Sequence, residues 1–395
     1  MKRLITGSAA RRASRAGTRG SLVTVAGALC IIAVAIAAAT TLPGGAAGSQ
    51  AQQVPLFEVD PFWPKPLPDH WLIGSAVGVT VDAQDRVWVV HRTDSFNRRT
   101  EIGAATDPPT GDCCRPAPAV LVFHADGSLA AHWGGPDEVS QWPVASHRIA
   151  LDPSGAVWIG GVDESDVGFR RFAAEGRFVD VVTGIGRPTG VAFHRAAEEM
   201  FIADGPGRQI VVLNLADGSV RRSWGAYGRP ADASVQPPAH APGAAPAQQF
   251  RNPFCVKVSA DDHVYVCDRE SNRIQVFRTD GTFVTEKVIA SETLGEGSVW
   301  DVAFSADDAQ QFLYVADGSN MRVHVLDRST LDLLTSFGSG GRQPGQFYAV
   351  HSIAVDSHGN VYTAETYEGK RVQKFNFRGL GPAPAADQGT VWPRR

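Results

Sequence analysis

Gln343–Phe377 reads QPGQFYAVHSIAVDSHGNVYTAETYEGKRVQKFNF, three short β-rich runs set apart by turns. Ser352–Val355 is small and apolar, Val361–Ala364 is the second run and Arg371–Phe377 the third. Asp356-Ser357-His358-Gly359 divides the first two; Asp and Ser bond their own backbone and Gly accepts unusual φ, so this is a turn. The same pattern recurs as AVGVTVDAQDRVWVVHR from Ala76, SHRIALDPSGAVWIGG from Ser146 and PTGVAFHRAAEEMFIADG from Pro188. Two further copies are NPFCVKVSADDHVYVCDRESNRIQVF from Asn252 and SVWDVAFSADDAQQFLYVADG from Ser298. The six turn entries are Asp82, Asp152, His194, Ser259, Ser305 and Asp356, and AAHWGG, RRSWGAYG and LTSFGSGG supply a fourth run in several copies. Four short strands repeated six times predict an all-β, six-bladed β-propeller, a closed ring that limits exposed sheet edges.

The last copy lacks a fourth run, because GLGPAPAADQGT follows its third. Val54–Asp60 is therefore expected to return as an N-terminal strand and close the ring; an extended arm on the surface is the alternative. The propeller is assigned to residues 53–380 and a C-terminal tail to 381–395. Residues 1–52 stand apart. Lys2, Arg3, Arg11, Arg12, Arg15 and Arg19 precede an uncharged run from Ser21 to Pro43 and then the small residues GGAAGSQA. That order describes a signal peptide, or an N-terminal membrane anchor if it stays uncleaved. The expected location is exported, periplasmic or extracellular, or tethered by this one segment. The chain carries −4; −4 less those six leader cations is −10 for the remainder. Such an acidic body speaks against a nucleic-acid partner, which needs clustered Lys and Arg.

Two insertions interrupt the repeat, Thr93–Pro118 and Arg229–Gln249, both rich in Pro, Ala and polar residues. Loops on a rigid scaffold are where binding concentrates. Cys113 and Cys114 are adjacent, and a bond between them is not expected because the ring would be strained. Cys255 and Cys267 lie equidistant from the turn near Asp261, so they are expected to face each other across a hairpin, a bond being left open.

Counting five places back from each turn entry gives Val77, His147, Thr189, Phe254, Trp300 and His351. These residues begin the innermost strands near one mouth of the channel. His147 and His351 would face a common axis there, and neutral imidazole is a common zinc ligand. A second ring follows the second strand: Arg92, Val162, Gly205, Arg269, Gly318 and Thr366, with Tyr367 next along in the last blade. Arg92 and Arg269 are placed to clamp a carboxylate, or to pair with acids of neighbouring blades. No Gly-x-Ser-x-Gly elbow and no Walker loop is present.

DSHGNVYTAETYEGKRVQKF and ADDHVYVCDRESNRIQVF resemble NHL repeats. The order of blades resembles peptidyl-α-hydroxyglycine α-amidating lyase (peptidylamidoglycolate lyase), a six-bladed NHL propeller with a zinc in its channel. That resemblance covers Ala76–Phe377. It implies that His147, in ASHRIALD, and His351, in AVHSIAVD, are two of three zinc-binding histidines. The third position falls in RNPFCVKVS, where Phe254 stands and cannot ligate. It also implies that Arg92, in VVHRTD, and Arg269, in CDRESNR, hold the substrate. The family's catalytic tyrosine, a base for carbon–nitrogen cleavage, corresponds to Pro206 in ADGPGR, and Tyr367 stands in the same ring to take its place. Nothing in the chain speaks for or against structural calcium.

Two functions follow. One is a metal-dependent, lyase-like enzyme acting on a small-molecule or peptide substrate that bears a carboxylate. The other is a non-catalytic propeller that binds a ligand or protein through its loops, since propellers serve both uses.

Overall fold

The computed structural model describes residues 53–384; the leader and the rest of the tail lie outside the described residues. Six four-stranded antiparallel sheets follow one another along the chain as the blades of a propeller. Their innermost strands are Ser75–Val81, Ser146–Leu151, Pro188–His194, Pro253–Val258, Asp301–Phe304 and Val350–Val355, for blades 1 to 6 in that order. In blades 1 to 5 the chain moves outward strand by strand, so that sequence neighbours pair as antiparallel strands.

Ring closure follows the expectation. Gln53–Asp60 pairs antiparallel with Arg371–Pro382, placing Val54 opposite Gly381, Phe57 opposite Phe377 and Val59 opposite Phe375. The third strand of blade 6 therefore runs past Phe377 to Pro382, longer than its sequence pattern shows. The partner strand supplies ladder bonds that the turn-like residues GLGP do not signal by themselves.

The core is divided rather than central. Six apolar clusters each straddle one blade-to-blade interface. Phe57 and Val59 of the closing strand join Tyr314 and Phe337 of blade 5 in one of them, so ring closure also completes an interface.

The turn entries do more than reverse the chain. Asp152 Oδ1 accepts from the backbone N–H of Ser154 and Ala156, and its Oδ2 accepts from the indole of Trp158. Asp82 repeats this with Gln84, Arg86 and Trp88, and Asp356 with His358, Asn360 and the Tyr362 hydroxyl. One carboxylate thus shapes the turn and fixes the aromatic ring six residues on.

Cys255 and Cys267 face each other in the ladder, Cα atoms 4.9 Å apart, and are joined by a disulfide. Cys113 and Cys114 are also joined, contrary to the expectation from ring strain; the insertion's loop, free of a strand or helix at this point, accommodates the small ring. Thr93–Pro118 is tied to blade 6 by Lys370 with Glu101 at 2.8 Å and by Asn97 with Glu368 at 3.0 Å.

Candidate functional site

The inner-ring positions are the places where each first strand loses register. The pairing skips Val77, His147, Thr189, Phe254 and His351, with Arg148 skipped beside His147. A bulge of this kind leaves a residue out of the ladder and re-aims its side chain. Trp300 immediately precedes the strand of blade 5, and Gly318 makes room for it: a Cβ there would lie 2.6 Å from the indole. All six residues line one cavity of about 710 Å³.

His147, Phe254 and His351 form a triangle from alternate blades. Ring centroids are 4.9 Å apart for His147–Phe254, 4.9 Å for His147–His351 and 5.4 Å for Phe254–His351, all edge to face. Both histidines are buried, and neither Nδ1 has a hydrogen-bond partner. Burial above all holds their pKa values well below the usual imidazole range, with the guanidiniums of Arg148, Arg92 and Arg269 pushing the same way. The pair is neutral.

Arg92 and Arg269 open on the same cavity, as do Thr366 and Tyr367. Arg269 lies on the rings of Phe254 and Trp300, 4.1 and 4.8 Å from their centroids, and meets Glu296 at 2.5 Å. Arg92 donates Nε–H to the Ser146 carbonyl at 2.9 Å and forms no ion pair among the described residues. Tyr367 adopts a left-handed φ of 50° and packs 6.2 Å from Trp300. Its pKa is raised, first by burial and then by Glu296, against Arg269 and Arg92. The phenol is thereby kept protonated, a donor rather than a base.

The zinc that the sequence resemblance implies can be tested on the donor set. Two neutral imidazoles with unpartnered Nδ1 atoms suit a metal. A three-histidine centre does not fit: Phe254 fills its third corner, and among the described residues no three His, Cys, Asp or Glu side chains cluster for a metal.

One layer deeper lies a pair that the ring counting passed over. Arg148 donates to Asp301 at 2.9 Å, to the Trp300 and Thr189 carbonyls at 2.9 and 3.0 Å, and to the Phe254 carbonyl at 3.4 Å. Asp301 also accepts from the Ser352 hydroxyl and the Ile353 N–H. Burial alone would raise the Asp301 pKa; Arg148, then Lys257 and these hydrogen bonds, hold it below the usual carboxylate range. The signal was present one place further along the alignment. That column reads Gly78, Arg148, Gly190, Cys255, Asp301 and Ser352, small residues except for one opposite-charge pair from facing blades. The pair lines a second cavity of about 510 Å³, bounded by the innermost strands of the blades.

Comparison with known proteins bears on this geometry at blade 4. Residues 250–277, which contain Phe254 and Arg269, match the NHL repeat. The chain is a six-bladed propeller whose fourth blade carries an NHL repeat. NHL repeat-containing protein 3 of Mus musculus is 26% identical over 345 residues, covering 81% of this chain and 84% of the relative. An auxiliary nutrient binding protein from Bacteroides thetaiotaomicron superposes with a TM-score of 0.54 at 10% identity, covering 82% and 78% of the two chains. A catalytically inactive virginiamycin B lyase from Staphylococcus aureus with quinupristin gives 0.47 at 14% identity, covering 86% and 93%. The nutrient binding protein speaks to the fold alone, and the overlap with the lyase is too loose to carry chemistry across. In this propeller the channel mouth is where both predicted rings meet.

Proposed function

We propose that the channel mouth binds a small ligand or peptide end bearing a carboxylate, held by Arg92 and Arg269, with Tyr367 as an added donor. The observation that carries this reading is Arg92: it opens on the same cavity as Arg269 and both neutral histidines while lacking a carboxylate partner among the described residues. A guanidinium offers a carboxylate two parallel hydrogen bonds, and its value rises where water is excluded. The basic and apolar leader supports an exported protein. The acidic body supports a ligand that is not nucleic acid.

The test is calorimetry with a short peptide carrying a free C-terminal carboxylate against the same peptide amidated. The free acid binds at least about tenfold tighter, as one charge-assisted pair supplies, and Arg92→Gln removes that advantage. Equal affinity for acid and amide overturns the reading.

A second reading is supported by the two unpartnered Nδ1 atoms. In it His147 and His351 hold zinc, and the site acts as an incomplete amidating-lyase-like enzyme on an α-hydroxyglycine peptide. Zinc would supply Lewis-acid polarisation of the substrate hydroxyl, while Arg92 and Arg269 orient the carboxylate. Pro206 offers no base and Tyr367 is held protonated, so the binding reading ranks first. Glyoxylate release from such a peptide, abolished by His351→Ala, would reverse that order.

A further inference from the structure

We infer that the mouth takes a ligand with two anionic groups set apart by an apolar spacer, the second group held by Arg187 and Arg208. This rests on the carboxylate reading above. Five arginines line the cavity, Arg92, Arg187, Arg208, Arg251 and Arg269, against a single carboxylate, Glu296. The acidic balance of the chain is reversed at this spot.

Two of the five are already neutralised. Arg269 meets Glu296 at 2.5 Å, and Arg251 meets Glu270 at 2.8 Å. Arg92, Arg187 and Arg208 form no ion pair among the described residues. Arg187 gives only a long bond to the Val162 carbonyl at 3.4 Å. Asp163 and Asp204 feel its charge without reaching ion-pair distance. Arg208 donates to the Ala233 carbonyl at 2.6 Å and to Gln236, while its Nε is buried without a partner.

A single carboxylate is satisfied by one guanidinium. Bound at Arg92, it would leave Arg187 and Arg208 without an ion-pair partner among the described residues, with Asp163, Asp204 and Asp232 acting on them only from beyond ion-pair distance, at a mouth whose walls focus their field. Those two come from the blade 2–3 connection and from blade 3, whereas Arg92 ends the second strand of blade 1. Arg92 and Arg187 both reach blade 2, at the Ser146 and Val162 carbonyls, so a short spacer joins the two poles. Phe254, Trp300 and Tyr367, in contact through Trp300, give the same cavity an apolar wall from blades 4 to 6. The chemical class is a dicarboxylate.

Calorimetry on the full chain at fixed ionic strength compares butyrate with glutarate. Glutarate binds at least about tenfold tighter, since a second charge-assisted pair is formed. Arg187→Gln reduces that advantage; this variant loses only one weak bond, so its fold is not at risk. Arg187→Gln with Arg208→Gln erases the remainder, provided the melting curve stays cooperative. Equal binding of the two acids overturns the second pole and leaves the single-carboxylate reading standing. An advantage that survives the double variant also overturns it, and binding of neither acid overturns both readings.

Discussion

Phe254 occupies the corner where a third imidazole would face His147 and His351. Two guanidiniums lie against its ring, Arg148 at 5.1 Å and Arg269 at 4.1 Å, so it also works as a cation–π platform. Phe254→His adds a third nitrogen donor, and zinc affinity measured by titration calorimetry should rise at least tenfold, in the range that ligand-shell changes produce. His147→Ala with His351→Ala should bring zinc binding to background. If the parent already binds no more zinc than that double variant, the pair is structural. The same Phe254→His change weakens the platform, at a cost of about 1 kcal/mol in stability.

At the level of the blade, the aspartate that enters the turn is also the acceptor for a buried indole. Asp152→Ala removes the acceptor of two backbone N–H groups and strands the Trp158 Nε1, which lies in a nearly fully buried side chain. The expected loss is about 2 kcal/mol, the desolvation of one orphaned buried donor plus partial loss of the turn. Urea unfolding followed by tryptophan fluorescence measures it. Asp152→Asn, which keeps an acceptor oxygen, should recover part of the loss; equal losses in both variants would mean that the indole bond carries little weight. This device was legible as a turn from DPSG alone. The partner ring was not, because a residue six positions on is placed by pleat and twist rather than by turn chemistry.

Across the whole ring, closure and the axial ion pair hold the blades together. Removing residues 53–60 strips Phe57 and Val59 from the interface of blades 5 and 6 and bares the edge of Arg371–Pro382. The truncated protein should melt well below the parent and aggregate on heating; an unchanged melting temperature would sink the role of the closing strand. Arg148 and Asp301 join blades 2 and 5 across the axis, and through carbonyls and Ser352 they reach blades 3, 4 and 6. The Asp301 carboxyl has a folded pKa below its unfolded value. Its contribution is therefore fully present above about pH 4, where the unfolded carboxyl is ionised, and fades as pH falls through the folded pKa. Melting temperature should drop more steeply as pH is taken below about 4 in the parent than in Asp301→Asn. Parallel pH profiles would assign the acid sensitivity elsewhere.

Repetition made the fold readable. Six copies of one strand-turn-strand pattern leave few architectures able to bury their apolar faces, and alignment of the copies named His147, His351, Arg92, Arg269 and Tyr367 as neighbours of one mouth. Ring closure was readable for the same reason, as a missing strand at one end and a spare one at the other. Only the tertiary structure decided what those neighbours do to one another. It neutralised the histidines through burial and three guanidiniums, occupied Arg269 with Glu296 and kept the Tyr367 phenol protonated. It also brought Arg187 and Arg208 to the mouth from connections that carry no repeat signal, and set Arg148 against Asp301. Repeat spacing fixes which positions share a ring; charge state and partner choice depend on burial and on distances across the axis, which no local pattern encodes.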